Sequence, residues 1–194
     1  MHKNIPALPA LLVIGTLFTV THPVIAQDAD ILIRNARVVD GTGSPWFLSD
    51  VAVTDGRISA MSRRLHLDAD TTIDAAGRVL TPGFVDVHTH VEGSSRRAGL
   101  EGQPRADNFL LDGVTTIITG NCGGSEIDIG GYADRLVGLG INVASFIGHN
   151  TVRREVMGPD DRAPTDAEME QMKALVEKAM LDGAVGFSTG LLYV

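Results

Sequence analysis

The sequence predicts an α/β protein in which a small module of short strands precedes alternating strands and helices. Residues 27–80 contain several β-branched runs separated by turn residues, which is the pattern of a small sheet. Over residues 81–194 strand signals alternate with helix signals, which predicts a parallel sheet built from successive strand and helix steps. An apolar segment, residues 1–26, precedes both parts.

Residues 1–26 have the three-part pattern of a cleavable secretory signal peptide. Lys3 precedes an apolar run from Ala7 to Val20, and the segment ends on Val24-Ile25-Ala26, with small residues where a signal peptidase reads. The run is shorter than the roughly 20 residues that a membrane-spanning helix needs. We therefore expect cleavage after Ala26, export to the periplasm or the medium, and no membrane contact afterwards. An uncleaved anchor is the alternative.

The strand signals of residues 27–80 predict an antiparallel sheet module. Asp55-Gly56 is a strong signal for a two-residue hairpin turn. His66 falls in this module and is expected at the surface. The predicted strand segments are Ile31–Ile33, Arg37–Val39, Val51–Thr54, Arg57–Met61, Asp70–Asp74 and Arg78–Leu80.

The stretch Arg78–His90 leads from a turn into a strand that carries two histidines. Because side chains alternate along a strand, Asp86, His88 and His90 should project to one side and the residues between them to the other. Neutral imidazole is the commonest metal ligand in proteins, and two on one face converge without a loop closing over them. The sequence therefore indicates a metal site here. Hydrogen-bonded, partly buried histidines are the alternative.

The remaining residues predict three helices and three strands in alternation. Thr165 and Glu168 form a capping box at the start of the clearest helix, whose methionine stripe is read as core packing. The predicted helices are Arg105–Asp112, Tyr132–Leu139 and Thr165–Leu181, and the predicted strands are Val114–Thr119, Ile141–Ile147 and Ala184–Thr189.

Chemically useful residues follow several of these strands. If the parallel strands belong to a barrel, their carboxyl ends lie on one rim, so Cys122, His149 and Tyr193 should gather with His88 and His90 around one mouth. Two of these residues, Cys122 and His149, also have a structural interpretation. A small buried apolar residue is the alternative for Cys122, and a hydrogen-bonded residue of the rim is the alternative for His149.

The run PGFVDVHTH at residues 82–90 resembles the first barrel strand of the amidohydrolase superfamily, and GNCGG at residues 120–124 resembles its N-acyl-D-amino-acid deacylase branch. The resemblance implies the first half of a (β/α)8 amidohydrolase barrel preceded by part of a small β-sandwich. That family continues for several more units, so we expect an N-terminal fragment. An open doubly wound sheet is the alternative, although no glycine-rich nucleotide motif accompanies it.

The resemblance also implies zinc and a set of ligands. Cys122 matches the thiolate of a tightly bound zinc, whose two further histidines lie on later strands. His88 and His90 match ligands of a second, weaker metal position, and Asp86 matches a residue that orients a ligand histidine.

For the substrate, the resemblance implies an N-acyl amino acid. Tyr193 is similar to a tyrosine of the family that contacts the substrate carboxylate. His149 lies in GHNT, which also matches a stretch of the family, and it is expected to contact the substrate. The general-base Asp is expected beyond residue 194, so the chain by itself is expected to be inactive. Two alternatives remain: a cyclic-amide hydrolase, which commonly uses a carboxylated Lys that Ala184–Thr189 does not offer, and a non-catalytic fragment.

Composition limits the other partners. Apolar residues make up 44% and charged residues 21% of the chain, so a globular protein is expected. The formal net charge is -8, which argues against nucleic acid, because phosphate binding requires clustered Lys and Arg. A single cysteine excludes an intramolecular disulfide.

Overall fold

The structure, a computed structural model, describes residues 28–93 and 99–193. The signal peptide predicted for residues 1–26 lies outside the described residues. The chain divides into two compact units, the first ending at Leu80 and the second beginning at Thr81. Within the described residues, none of the helices combines the length and the apolar character that crossing a membrane requires.

The first unit is one mixed sheet. β1 pairs antiparallel with β2, and β2 pairs antiparallel with β3, whereas β4 and β5 both pair parallel with β1. The prediction of an antiparallel module is therefore wrong for β4 and β5. Residues 63–68 carry the chain from β3 to the opposite side of β1, and this route sets the parallel direction. The strands are β1 (Ala29–Val38), β2 (Phe47–Thr54), β3 (Arg57–Ser62), β4 (Ala69–Asp74) and β5 (Val79–Leu80).

Local signals predict the hairpin of this sheet correctly but divide its central strand. Asp55 and Gly56 both have positive φ, 52° and 69°, as a two-residue hairpin turn requires, and they join β2 to β3. The two runs predicted around Asn35 form one strand, because Asn35 adopts φ 58° in a bulge and donates its backbone N–H to the buried Asp50 carboxylate at 3.0 Å. His66 is exposed, as predicted.

The second unit contains parallel strands that follow one another in chain order. β6 pairs with β7, and β7 with β8; β9 pairs with β10. β8 and β9 are separated by Phe146 alone, where the backbone changes from β7 as its neighbour to β10. The strands are β6 (Phe84–Asp86), β7 (Val114–Thr119), β8 (Asn142–Ser145), β9 (Ile147–Gly148) and β10 (Phe187–Ser188). The helices are α1 (Asp107–Leu111), α2 (Ile129–Arg135), α3 (His149–Met157) and α4 (Asp166–Leu181).

Helix prediction succeeds where the capping signal is strong. α4 begins after Thr165, whose side chain accepts from the Glu168 N–H while the Glu168 carboxylate accepts from the Thr165 N–H, so the capping box is confirmed. α2 begins three residues earlier than predicted, because Asp128 accepts from an N–H of its first turn. α3 is absent from the prediction. Its first residue follows a glycine that offers no side-chain cap, so the usual start signal is missing.

Two apolar clusters form the core of the second unit. One joins α3 and α4 to β9 through Ile147, Val152, Met172 and Ala179. The methionine stripe therefore packs in the core at Met172 only, because Met169 and Met180 are exposed. The other cluster surrounds the fully buried Ile117 of β7. β6 and β10 lie at the two ends of the strand series. These strands and the residues beside them expose apolar side chains, namely Phe84, Val85, Val87, Val185 and Phe187.

Candidate metal centre

Three potential metal ligands meet beyond the ends of β6 and β7. The ring nitrogens of His88 and His90 and the sulfur of Cys122 all lie within 4.8 Å of one another. Cys122 Sγ lies 3.4 Å from His88 Nε2, and the centroids of the two imidazole rings are 5.5 Å apart. The histidines are exposed and Cys122 is half-buried, so the cluster is accessible from solvent. The structure thus brings together three of the residues that the sequence singled out.

The histidines stand on an extended segment that β7 holds in place. β6 ends at Asp86, so the predicted strand is shorter than its alternating pattern suggests. Asp86 accepts a hydrogen bond at 3.0 Å from the backbone N–H of His88, two residues on, and therefore fixes the turn out of the strand. Thr89, buried between the histidines, donates both its N–H and its hydroxyl to the carbonyl of Ile118. His88 and His90 consequently project on the opposite side from Thr89.

Cys122 lies in a tight turn after β7 that depends on glycine. Gly120 and Cys122 have positive φ, 76° and 55°. A side chain at Gly120 would come within 2.3 Å of the Phe146 carbonyl, so only glycine allows this close approach to the next strand. Ser188 of β10 closes the turn: its hydroxyl donates to the Gly120 carbonyl at 2.5 Å and accepts from the Gly123 N–H at 3.1 Å.

Glu92 connects the histidine segment to the cysteine turn. Its Oε1 accepts from the Thr119 hydroxyl at 2.6 Å and from the Gly120 N–H at 2.7 Å. Glu92 lies two residues after His90, and Gly120 lies two residues before Cys122. The carboxylate therefore sets the separation between these two potential ligands.

Sequence reasoning missed Glu92, Ser188 and Asn121. The buried amide of Asn121 donates to the carbonyls of Ile118 and Thr89 and ties the same two segments together. A signal for Glu92 was present, because it continues the two-residue alternation of Asp86, His88 and His90. Nothing local marks Ser188, whose partners lie 65 and 68 residues away in the sequence.

A pocket of about 440 Å³ opens beside the cluster. On one side lie His90, Asn121 and Cys122, and on the other lies α3. α3 is held there because the Asn150 and Thr151 N–H groups both donate to the Gly123 carbonyl, at 2.8 and 3.2 Å. The pocket lining consists of His90, Asn121, Cys122, Gly124, Asn150, Thr151 and Arg154.

The structure does not bring His149 to this pocket. Its ring lies instead in a second cleft, beside Val152, Met172 and Phe187, and stands edge-on to the Phe187 ring with the centroids 6.2 Å apart. The expected gathering at one mouth fails here because His149 starts a helix, and the next residue, Asn150, is the one turned toward Cys122. Tyr193 ends a short 3-10 turn, Leu191–Tyr193, and its side chain lies outside the described part.

Tyr132 of α2 is a buried polar group near Glu92. It is 2% exposed, and its hydroxyl has no hydrogen-bond partner among the described residues. Burial, together with the charges of Glu92, Glu126 and Glu101, raises the pKa of Tyr132 to about 12. The phenol is therefore neutral at ordinary pH.

Comparison with known proteins gives consistent matches. The profile of the amidohydrolase family matches residues 71–193. An N-acyl-D-aspartate deacylase of Alcaligenes xylosoxydans xylosoxydans is 37% identical over 190 residues, which cover 85% of this chain and 37% of that protein. A D-aminoacylase of the same organism is 35% identical over 203 residues, covering 87% of this chain and 39% of that protein.

A solved structure matches over a similar range. The N-acyl-D-glutamate deacylase of Bordetella bronchiseptica, complexed with zinc and a phosphonate inhibitor that mimics the tetrahedral reaction intermediate, superposes with a TM-score of 0.75 at 31% identity. The match covers 85% of this chain and 39% of that one. The chain thus spans less than two fifths of the length of these relatives.

Proposed function

The chain belongs to the amidohydrolase family, and we propose that the protein carrying it uses zinc to hydrolyse the amide bond of N-acyl-D-amino acids, giving a carboxylate and a D-amino acid. The observation that carries the proposal is the meeting of two imidazoles and one thiol beyond neighbouring parallel strands. Three relatives that act on N-acyl-D-amino acids, at 31–37% identity, support the substrate class.

The donor set suits zinc. Zinc is bound by imidazole nitrogen at about 2.1 Å and by thiolate sulfur at about 2.3 Å, which in a tetrahedron separates the ligand atoms by roughly 3.4–3.7 Å. Cys122 Sγ and His88 Nε2 are 3.4 Å apart, and the whole set lies within 4.8 Å. His88, His90 and Cys122 would therefore hold one ion together after small rotations of their side chains, whereas the resemblance assigned Cys122 and the two histidines to separate metal positions.

When bound, zinc supplies a Lewis acid for the scissile carbonyl and lowers the pKa of a coordinated water toward about 7. The residues of this chain would hold the metal ligands in place and leave room for the substrate. Asp86 and Glu92 hold the histidine segment through their carboxylates, and Ser188 holds the cysteine turn. The pocket beside Cys122, at about 440 Å³, lies in the range of small-molecule sites, roughly 300–1,000 Å³.

The fold proposal is that β6, β7, β8 with β9, and β10 are the first four strands of an eight-stranded barrel. Their parallel pairing in chain order supports this over a doubly wound sheet, in which the strand order reverses. The apolar side chains exposed on β6 and β10 also support it, because further strands and helices would cover them. The mixed sheet of the first unit is proposed to form part of a small β-sandwich.

A cyclic-amide hydrolase is the competing activity within the same superfamily. A carboxylated lysine on the fourth strand is the expected metal bridge in that class, and residues 184–189, which include β10, contain no lysine. Cys122 supplies a thiol to the cluster instead. Both features favour the deacylase.

Cobalt titration of the chelator-treated protein that carries this chain tests the metal site directly. Co²⁺ bound by Cys122 should give a thiolate-to-metal charge-transfer absorption, because the thiolate is the metal-binding form of cysteine. Cys122→Ser should abolish this band, and His88→Ala should weaken metal binding. His66→Ala, which removes an exposed histidine from the first unit, is the matched control and should bind as the wild type does. A wild-type protein that binds Co²⁺ without the band would show that Cys122 is not a ligand.

Activity is tested in the zinc-loaded protein that carries this chain. Release of D-amino acid from N-acetyl-D-amino acids, with no hydrolysis of hydantoins or dihydropyrimidines, is the expected result. Hydrolysis of the cyclic amides alone would favour the competing activity. No turnover of either class would favour a non-catalytic homologue.

A further inference from the structure

Arg154 is a cationic residue at the candidate site that the sequence analysis did not single out. It lines the pocket that also contains His90 and Cys122. Its guanidinium is exposed and makes no hydrogen bond or ion pair with any described residue. The neighbouring Arg153 differs, because its guanidinium donates to the carbonyls of Asp160 and Arg162 and thereby holds the loop after α3.

The position of Arg154 follows from the geometry of α3. Residues three and four apart lie on one face of a helix, so Arg154 stands on the same face as Asn150 and Thr151. These two residues are attached to the cysteine turn through the Gly123 carbonyl. His149 and Val152, on another face, pack toward α4. The helix therefore presents Arg154 to the pocket while its apolar face anchors it to the core.

The charge around the pocket favours an anion. Arg154 is its one permanently charged lining residue, and no carboxylate occurs among the seven residues that line it. Arg154 also borders an adjoining cleft with Asp160 and Asp161, but among the described residues no ion pair joins it to either carboxylate, and Arg162 pairs with Asp160. The guanidinium therefore remains available on the pocket side.

We propose that Arg154 binds a carboxylate of the substrate and so selects N-acyl amino acids over neutral amides. This proposal rests on the proposed function for its substrate class. A guanidinium presents paired N–H donors that match the two oxygens of a carboxylate, which a neutral amide cannot reproduce. The carboxylate is either the α-carboxylate, present in every N-acyl amino acid, or the side-chain carboxylate of an acidic one.

Binding to the chelator-treated protein tests Arg154 independently of metal and turnover. N-acetyl-D-aspartate, N-acetyl-D-leucine and N-acetyl-D-leucinamide are titrated into the wild type, Arg154→Gln and Arg154→Lys. Arg154→Gln should weaken binding of N-acetyl-D-aspartate by about tenfold to a hundredfold, the loss expected for charge-assisted hydrogen bonds. Arg154→Lys should keep part of the affinity. Arg63→Gln removes the same charge from an exposed position in the first unit and should change nothing.

The three ligands identify the carboxylate. Weaker binding of both acids, with binding of the leucinamide unchanged, would identify the α-carboxylate; weaker binding of N-acetyl-D-aspartate alone would identify the side-chain group. Equal binding of N-acetyl-D-aspartate by wild type and Arg154→Gln, including no binding by either, would overturn the proposal.

Kinetics separate this proposal from the proposed function. In the zinc-loaded protein, Arg154→Gln should raise KM for the acids far more than it lowers kcat, and should reduce their preference over the leucinamide. Unchanged preference would overturn the role proposed for Arg154 and leave the proposed hydrolysis intact. A wild type that binds N-acetyl-D-aspartate through Arg154 but releases no amino acid would overturn the proposed hydrolysis and leave the carboxylate site intact.

Discussion

Glu92→Ala should loosen the connection between the histidine segment and the cysteine turn. The substitution removes the acceptor of the buried Gly120 N–H, at 2.7 Å, and of the Thr119 hydroxyl, at 2.6 Å. The hydroxyl retains a second acceptor in the Thr89 carbonyl at 3.2 Å, so the unpaired Gly120 N–H dominates the cost. An unsatisfied buried donor costs about 1–3 kcal/mol and a hydrogen bond to a charged group contributes about 1.5–3 kcal/mol, so we expect a loss of about 2–3 kcal/mol in unfolding free energy.

Urea denaturation measures this loss in the second unit specifically. Every helix of the described residues belongs to that unit, so circular dichroism at helical wavelengths follows its unfolding. The single tryptophan, Trp46, lies in the first unit, and its fluorescence follows that unit. Glu92→Gln keeps a carbonyl oxygen at the same position and should cost about 1 kcal/mol. Glu170→Ala, which removes an exposed glutamate from α4, should stay within about 0.5 kcal/mol of wild type.

Glu92→Ala should also weaken metal binding. Residues that orient ligands typically contribute about tenfold to a hundredfold in metal affinity, so Co²⁺ binding by Glu92→Ala should weaken by that factor. The reasoning is refuted if Glu92→Ala unfolds at the wild-type urea concentration, or if Glu92→Gln is as unstable as Glu92→Ala. The second result would mean that the charge of Glu92, and not its two hydrogen bonds, stabilises the segment.

Three further predictions concern pH and export. The pKa of Tyr132 is raised to about 12 from an unfolded value near 10. The neutral phenol therefore adds its full contribution to the free energy of unfolding below about pH 10, and this contribution is lost as pH rises toward 12. Tyr132→Phe should abolish an alkaline loss of about 2 kcal/mol between about pH 10 and pH 12 in urea unfolding, and parallel curves would contradict this. The Arg162 guanidinium lowers the pKa of Glu168, so the stability gained is present above the ordinary carboxyl value of about 4.3 and is lost as pH falls through the lower folded value. Glu168→Gln should therefore flatten the acid side of the unfolding profile below about pH 4, and an unchanged profile would exclude this pair as its source. N-terminal sequencing of the exported protein should begin at or near Gln27, whereas an intact Met1 on cytosolic protein would exclude export.

The sequence predicts elements best where the signal is local. β7 has the bounds predicted for it, because six consecutive residues with strand preference end at a glycine. α4 follows its capping box, and Asp55-Gly56 forms the predicted hairpin turn. In each case the deciding interactions join residues at most a few positions apart.

Local signals also locate the candidate metal ligands but not their support. The spacing of His88 and His90 and the glycines around Cys122 are visible in the chain, and they predict ligands near strand ends. The carboxylate of Glu92 and the hydroxyl of Ser188 fix these ligands through partners 27 to 68 residues away. No local pattern encodes such partners.

The sequence by itself determined the donor types, the strand and helix alternation of the second unit, and the best-capped helix. Tertiary structure alone decided that β4 and β5 run parallel to β1, that α3 begins at His149, and that Arg154 faces the pocket. In all three cases the deciding contacts join residues that lie far apart in the sequence. The direction of a strand pair depends on the route of the connecting chain, and the face that a helical residue presents depends on where the helix starts. The N-terminal turn of α3 gets its hydrogen-bond acceptor from Gly123, on a different loop, so the sequence around His149 carries no sign of it.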